Sequence, residues 1–273
     1  MNASGPVVWH LPDPHIVISA DDFGLSEGVN EAVEIAHREG VLGQASLMVA
    51  APSADDAVRR ARAMPSLNVG LHLVLVDGPS SLGHDRLPSI TRSDGSFGAD
   101  QVARGFRYFF SPRARRELAA EIRAQFEAFR ATGLTLHHAD AHKHMHLHPV
   151  VGRLLIDIGR EYGLPRIRVP AEPPAVLKAC GARPGIGPYA LYLWSFILRR
   201  QARKAGLSCH DHVFGIFWSG QMTSSKLDIL LKNYTGSSAE IYFHPATKTD
   251  PQLTRLMPDY RHELEFEAIK TRA

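Results

Sequence analysis

Two aspartates, Asp21 and Asp22, follow directly on the apolar run His15 to Ala20. Adjacent side chains leaving a strand point in different directions, so one carboxylate can hold a cation while the other faces a substrate. The same ADDFG composition also suits an ordinary turn, because Asp readily bonds its own backbone. Between Asp140 and His148 the chain reads DAHKHMHLH, and an extended backbone there aims His142, His144, His146 and His148 to one face. Neutral imidazole suits zinc, iron, cobalt or nickel, and two ring nitrogens with one carboxylate make an open catalytic set. Accidental crowding is the competing reading. His72 interrupts an apolar run of Val69, Leu71, Leu73 and Leu75, where an unpaired ring would cost about 1–3 kcal/mol. A metal or a core hydrogen bond would each satisfy it. His244 ends EIYFH just before Pro245, a strand delivering a proton donor to a turn, although a surface turn histidine reads the same way.

The elements that must position these groups read as repeated βα units, with strand-length apolar runs alternating with segments of helical period. The expected strands are His15 to Ala20, Ala45 to Ala50, Asn68 to Leu75, LTLHHAD at 134–140, RIRVP at 166–170, Phe214 to Trp218 and Glu240 to His244. Ser26 can cap a helix carrying Val29, Val33 and Ala36, which Gly40 would stop. Ser111 and Pro112 open a helix with Leu118, Ile122, Phe126 and Phe129 in register, ended by Gly133. Pro149 opens another, with Val151, Leu155, Ile158 and Tyr162 on one face before Gly163, and a helical segment surrounds Leu227 to Leu231. Residues 76–111, rich in Gly, Pro, Ser and Asp, read as an inserted loop, and 186–206 as a helical excursion. Seven strands followed mostly by helices predict an α/β fold, a closed or nearly closed seven-stranded β/α barrel, with a doubly wound open sheet as the alternative. In either, the strand ends bring Asp21, Asp22, His72, Asp140, His142, Arg168 and His244 to one mouth.

The 273 residues, 44% hydrophobic and 22% charged, fit one domain over 1–273, since no Ser/Gly-rich linker or charge run marks a boundary. Lys and Arg number 31 against 28 Asp and Glu, a balance that does not call for nucleic acid. Basic groups at Arg113, Arg115 and Arg116, and at Arg199, Arg200, Arg203 and Lys204, read as solvated helix faces or as contacts to an anionic membrane. Cys180 and Cys209 supply no disulfide framework or zinc-ribbon spacing. With no signal-peptide pattern at the N-terminus and no run of about 18 apolar residues, a cytoplasmic protein, peripheral at the inner membrane face at most, is expected.

In order along the chain, ADDFGLSEGVN (20–30), SLMVAAP (46–52), GLHLVL (70–75), DAHKHMHLHP (140–149) and EIYFHP (240–245) closely resemble the YdjC-like carbohydrate deacetylases. GFRYFF (105–110) and ELAAEIRAQFEAFRATGL (117–134) are similar to the hopanoid biosynthesis-associated branch of that family. The resemblance implies a distorted β/α barrel related to polysaccharide deacetylases. It implies one divalent ion, zinc or magnesium, on Asp22, His72 and His142, with Asp21 as general base and His244 as acid. The branch resemblance implies removal of acetate from an N-acetylglucosaminyl hopanoid. The apolar stretch of that lipid would suit Phe106, Tyr108, Phe109 and Phe110, and Tyr189 to Leu198 with the basic residues that follow. Burial against the barrel is the rival reading for Tyr189 to Leu198, favoured by its few polar breaks. Ala141 stands where sugar deacetylases of the family often have Ser, which bears on the substrate more than on the reaction.

The expected chemistry is metal-assisted attack of water on an acetamide, with proton transfer to Asp21 and from His244. Arg168 would orient Asp21, grip a sugar hydroxyl or form a structural ion pair, and His146 is a second candidate for substrate contact. The substrate is then an N-acetylglucosaminyl glycolipid or, alternatively, a soluble chitooligosaccharide. A two-metal phosphoesterase would show more bridging carboxylates, and a glycolipid-binding protein without activity would not need a spare carboxylate beside the metal set.

Overall fold

A computed structural model describes residues 15–270; the N-terminal segment and the last three residues of the expected 1–273 unit lie outside the described residues. Six parallel strands form one curled sheet, a half-barrel, in the order β4-β3-β2-β1-β6-β5. They are β1 (Ile16–Phe23), β2 (Leu42–Leu47), β3 (Asn68–Leu73), β4 (Ala139–Ala141), β5 (His212–Phe214) and β6 (Ala239–Phe243). β1 and β6 are buried on nearly every residue, as strands covered on both faces by crossover helices must be. The helices are α1 (Glu27–Arg38), α2 (Ala54–Arg62), α3 (Gln101–Phe110), α4 (Pro112–Ala131), α5 (Pro149–Glu161), α6 (Pro174–Ala179), α7 (Ile186–Lys204), α8 (Ser224–Asn233), α9 (Pro251–Leu256) and α10 (His262–Lys270).

The helix signals translate closely. The Ser26 hydroxyl accepts from Val29 N at the start of α1, and the Ser111 hydroxyl accepts from Ala114 N at the start of α4, with Pro112 in its first turn. Leu118, Ile122, Phe126 and Phe129 of α4 are all buried, and α4 packs on α5, which packs on α7.

Among the described residues the sheet has six strands in a half-barrel, in place of the expected seven-stranded barrel. The stretch 166–170 is extended but makes only isolated parallel bridges, Ile167 to Ala139 and Arg166 to Ser208. Pro165 and Pro170 bracket it, and a residue without an amide N–H cannot continue a ladder. The second strand lies three residues earlier than Ala45 to Ala50, and the strand expected at Phe214 to Trp218 is β5, which begins at His212 and stops at Phe214. Gly215 stops it: φ is +123°, and a Cβ there would lie 2.7 Å from the Tyr242 carbonyl oxygen.

The insertion at 76–111 is partly ordered rather than a plain loop. It ends in α3, and Tyr108 turns inward so that its hydroxyl donates to Leu75 O at 2.7 Å. Phe106, Phe109 and Phe110 stay exposed. On α7, Ser195 and Leu198 face inward, whereas Leu193, Trp194, Phe196 and Ile197 face out, so burial accounts for only part of that apolar run.

Candidate metal and catalytic centre

Asp21 and Asp22 sit on a bulge in β1. Ala20 pairs with Ala45 and Phe23 with Leu47, so the β1 side carries one residue more than the β2 side. Asp22 takes up the difference with φ +61°, a left-handed conformation that Asp tolerates better than most residues and that marks functional strain. The bulge turns both carboxylates to the sheet's carboxyl edge, where a cleft of about 240 Å³ is lined by Asp21, His72, His142, His244 and Tyr260 among others.

Asp22 lies between two imidazoles: its Oδ1 is 3.3 Å from His72 Nε2 and 3.0 Å from His142 Nδ1. One ligand atom from each of the three residues falls within 4.8 Å of the others. All three are buried, and Asp22 Oδ2 and His142 Nε2 have no hydrogen-bond partner within the protein. Burial would raise the Asp22 carboxyl, yet His142 and His72 hold it well below the usual carboxylate range. The far nitrogen of His72, Nδ1, lies 2.8 Å from Asp140 Oδ1. Burial would lower that imidazole, but the Asp140 charge and hydrogen bond dominate and raise it to about 10. A carboxylate behind a ligating histidine fixes the ring and increases its basicity, so a donor set of two nitrogens and one oxygen fits a divalent ion here. A second grouping of Asp21, His72 and Asp140 also falls within ligand distance. Both Asp140 oxygens are already engaged, by His72 Nδ1 and Arg168, and Asp21 Oδ2 is held by Arg168, which makes it a hydrogen-bond network instead.

Arg168 organises that network from behind. Fully buried, its Nη1 lies 2.7 Å from Asp21 Oδ2 and 2.7 Å from Asp140 Oδ2, and its Nη2 lies 2.6 Å from Glu240 Oε1. Ser19 Oγ accepts from Arg168 Nη2 and donates to Glu240, and Ser46 Oγ donates to Asp140 at 2.8 Å. The face of Tyr242 covers the guanidinium at 4.9 Å. Of the atoms in this network, Asp21 Oδ1 is left buried without a partner within the protein. Burial pushes the Asp21 carboxyl above its ordinary range, with Arg168 pulling it back and Asp140 adding to the rise.

Across the cleft, His244 is held by its backbone: its N–H donates to Glu265 Oε2 at 2.5 Å, and its carbonyl oxygen is 2.7 Å from His262 Nδ1. Glu265 Oε2 also lies 3.7 Å from His244 Nδ1, an ion-pair distance longer than a hydrogen bond. Burial works against the charged ring, but the Glu265 carboxylate prevails and raises its pKa above the ordinary value.

The expected single face of four histidines is corrected. Lys143 and His144 adopt left-handed φ of +50° and +53°, so His142–Leu147 forms a 3-10 turn instead of an extended strand. The turn sends each ring elsewhere: His142 to Asp22, His144 to within 2.9 Å of the Tyr242 hydroxyl, His146 to the Arg168 carbonyl at 3.0 Å, and His148 against Phe109. The structure thus brings Asp21, Asp22, His72, His142 and His244 to one cleft, with Arg168 behind it and His146 buried away from its lining. Sequence reasoning named Asp140 without a role and missed Glu240, Ser19, Ser46 and Glu265. Glu240 carried a signal, an acid inside the apolar strand AEIYF, where an unpaired charge is very costly.

The sequence profile described as YdjC-like protein matches residues 15–273. The carbohydrate deacetylase of Brevibacillus brevis is 41% identical over 155 residues, 57% of this chain and 59% of that protein. That of Vibrio cholerae serotype O1 is 36% identical over 152 residues, 55% of this chain and 57% of its own length. The chain thus spans somewhat over half the length of these curated relatives. The carbohydrate deacetylase of Geobacillus stearothermophilus is 30% identical over 233 residues, 85% of this chain and 79% of that protein. In fold, the crystal structure of an Enterococcus faecalis V583 protein named for cellobiose-phosphate cleavage superposes with a TM-score of 0.72 at 21% identity, covering 94% of this chain and 90% of that one. A profile match over residues 15–273, nearly the whole chain, places it in the YdjC-like protein family.

Proposed function

We propose that the chain is a metal-dependent N-deacetylase that removes acetate from an N-acetylglucosaminyl group, with residues 1–273 acting as one domain. The observation that carries this reading is the convergence of Asp22, His72 and His142 beside a carboxylate with one free oxygen, Asp21 Oδ1. Asp22, His72 and His142 would hold a divalent ion, for which two imidazoles favour zinc over magnesium. When bound, it would supply Lewis acidity toward the acetamide carbonyl.

Asp21 accepts the proton of the attacking water at Oδ1, while Arg168 fixes Oδ2 and so keeps the free oxygen turned to the cleft. His244, whose hold on a proton Glu265 strengthens, gives its proton to the departing amine, which leaves poorly as an anion. Arg168 acts through Asp21 and not on the sugar, because its guanidinium is saturated and out of reach of solvent. His146 supports the Arg168 backbone in the same way.

For the substrate we propose a hopanoid glycolipid bearing the acetylated sugar, met at the inner face of the cytoplasmic membrane. The exposed aromatics of α3 and the outward apolar residues of α7, both beside the cleft, support it. Metal-loaded protein should release acetate from an N-acetylglucosaminyl hopanoid, and metal-stripped protein should not. Release only from N-acetylated chitooligosaccharides would discard the lipid and keep the chemistry; release from neither would sink both. His142→Ala should lose acetate release together with bound metal, measured by elemental analysis, and a variant that keeps its metal would remove His142 from the ligand set.

A further inference from the structure

Charge is segregated along this chain to a degree that its small net excess conceals. Residues 101–116 contain five arginines and no acid, and residues 173–210 contain six Lys and Arg and no acid. The rest of the chain is left with 20 of the 31 basic residues against all 28 acidic ones. The two acid-free stretches hold α3 and α7, and the fold sets these helices on either side of the turn His142–Leu147. Phe109 of α3 packs edge-on against His148 at 6.0 Å, and the Trp194 indole of α7 donates to Leu147 O at 2.8 Å.

Between the helices runs a groove of about 390 Å³, lined by Gly105, Met145, Leu147, His148, Leu191 and Trp194. Lys143 and His144 line both this groove and the cleft that holds Asp21 and His142, so the two adjoin. The two helices that flank the groove carry large apolar side chains in solvent: Phe110 is 68% exposed, Leu193 67% and Ile186 88%. Large apolar residues exposed together on neighbouring helices mark an interaction site. Arg107 of α3, Arg200, Arg203 and Lys204 of α7, and Arg116 and Lys178 in the same two acid-free stretches are all exposed, and neither α3 nor α7 carries a carboxylate. Among the described residues no helix is long and apolar enough to cross a membrane, which leaves a helix lying in the interface plane.

We propose that the α3–α7 face docks on an anionic lipid surface, seating Phe106, Phe110, Leu193 and Trp194 among the acyl chains and bringing the mouth of the cleft to the headgroups. Exposed apolar side chains and cations on two helices that carry no acid match the chemistry of such a surface better than that of a protein partner. A protein surface would be complemented by local acids of its own, whereas anionic headgroups offer diffuse negative charge above an apolar layer. The inference deepens the glycolipid reading and rests on it only for its purpose.

Flotation of the full chain with vesicles tests it. The protein should float with phosphatidylcholine vesicles containing phosphatidylglycerol, float poorly with phosphatidylcholine alone, and dissociate as salt is raised. The double variant Phe110→Glu/Leu193→Glu should reduce partitioning at least about tenfold while turnover of a water-soluble acetylated sugar is unchanged. Should that variant fail to fold, Arg200→Gln/Arg203→Gln serves instead, since both side chains are exposed and far from the core. No flotation with the anionic vesicles, undiminished binding by a folded variant, or self-association without lipid that the variant abolishes would each overturn the proposal. Vesicle binding is read without turnover, so binding with no acetate release would fell the deacetylase reading and leave the docking surface standing.

Discussion

Asp21→Asn is expected to lower kcat for acetate release by about 100- to 10,000-fold, the usual contribution of a positioned general base, while the bound metal remains. The amide keeps the shape of the side chain and can still pair one oxygen with Arg168, but it cannot accept the proton that Oδ1 is placed to receive. Because Asp22, His72 and His142 are untouched, metal content by elemental analysis should match the wild type. Loss of metal together with activity would make Asp21 a ligand instead of a base, and full activity would remove it from the reaction. KM should change little, since the carboxylate is asked to act on the water and not on the sugar.

Arg168→Met is expected to destabilise the protein by about 3–5 kcal/mol, the cost of stripping a buried cation from its carboxylates. The guanidinium touches Asp21, Asp140 and Glu240 at once, all of them buried, so a neutral side chain leaves three oxygens without their shared partner. Urea unfolding measures the loss. Adding Glu240→Gln should recover part of it, because the coupled residue no longer carries an unpaired charge; strictly additive losses would show that the two do not act together. Burial would raise Glu240, yet Arg168 holds it down to about 2, so at neutral pH it is the ionised form that must be compensated.

Much of this site could be read from residue order, and the reasons are physical. Asp21, Asp22, His72 and His244 stand out because each is polar at the end of an apolar strand or inside one, and a parallel sheet gathers such ends at one edge. What stayed hidden depends on backbone geometry that residue type does not encode. Alternation at His142 to His148 suggested a strand, but left-handed Lys143 and His144 fold it into a turn and leave one ring for the metal set. RIRVP has a strand's composition, yet its flanking prolines limit it to isolated bridges. Glu240 and Asp140 act only through Arg168 and His72, partners about 70 residues away, and sequence neighbours carry no trace of those pairings.

The network behind the cleft also has a thermodynamic reach. Asp21, Asp140 and Glu240 are three carboxylates gathered on a single arginine, Asp22 lies between His72 and His142, and the fold encloses all of them. The carboxylates outnumber the arginine, and a cation bound only by the folded chain stabilises it, so the ion is a ligand of folding as much as of chemistry. Thermal unfolding midpoints should therefore climb with the logarithm of divalent ion concentration, by about 2.7 kcal/mol of stability once free ion exceeds its dissociation constant a hundredfold. A midpoint indifferent to added ion or chelator would show the charges to be balanced without it. In a cell short of the metal, turnover of the polypeptide itself, and not only of its substrate, would report the shortage.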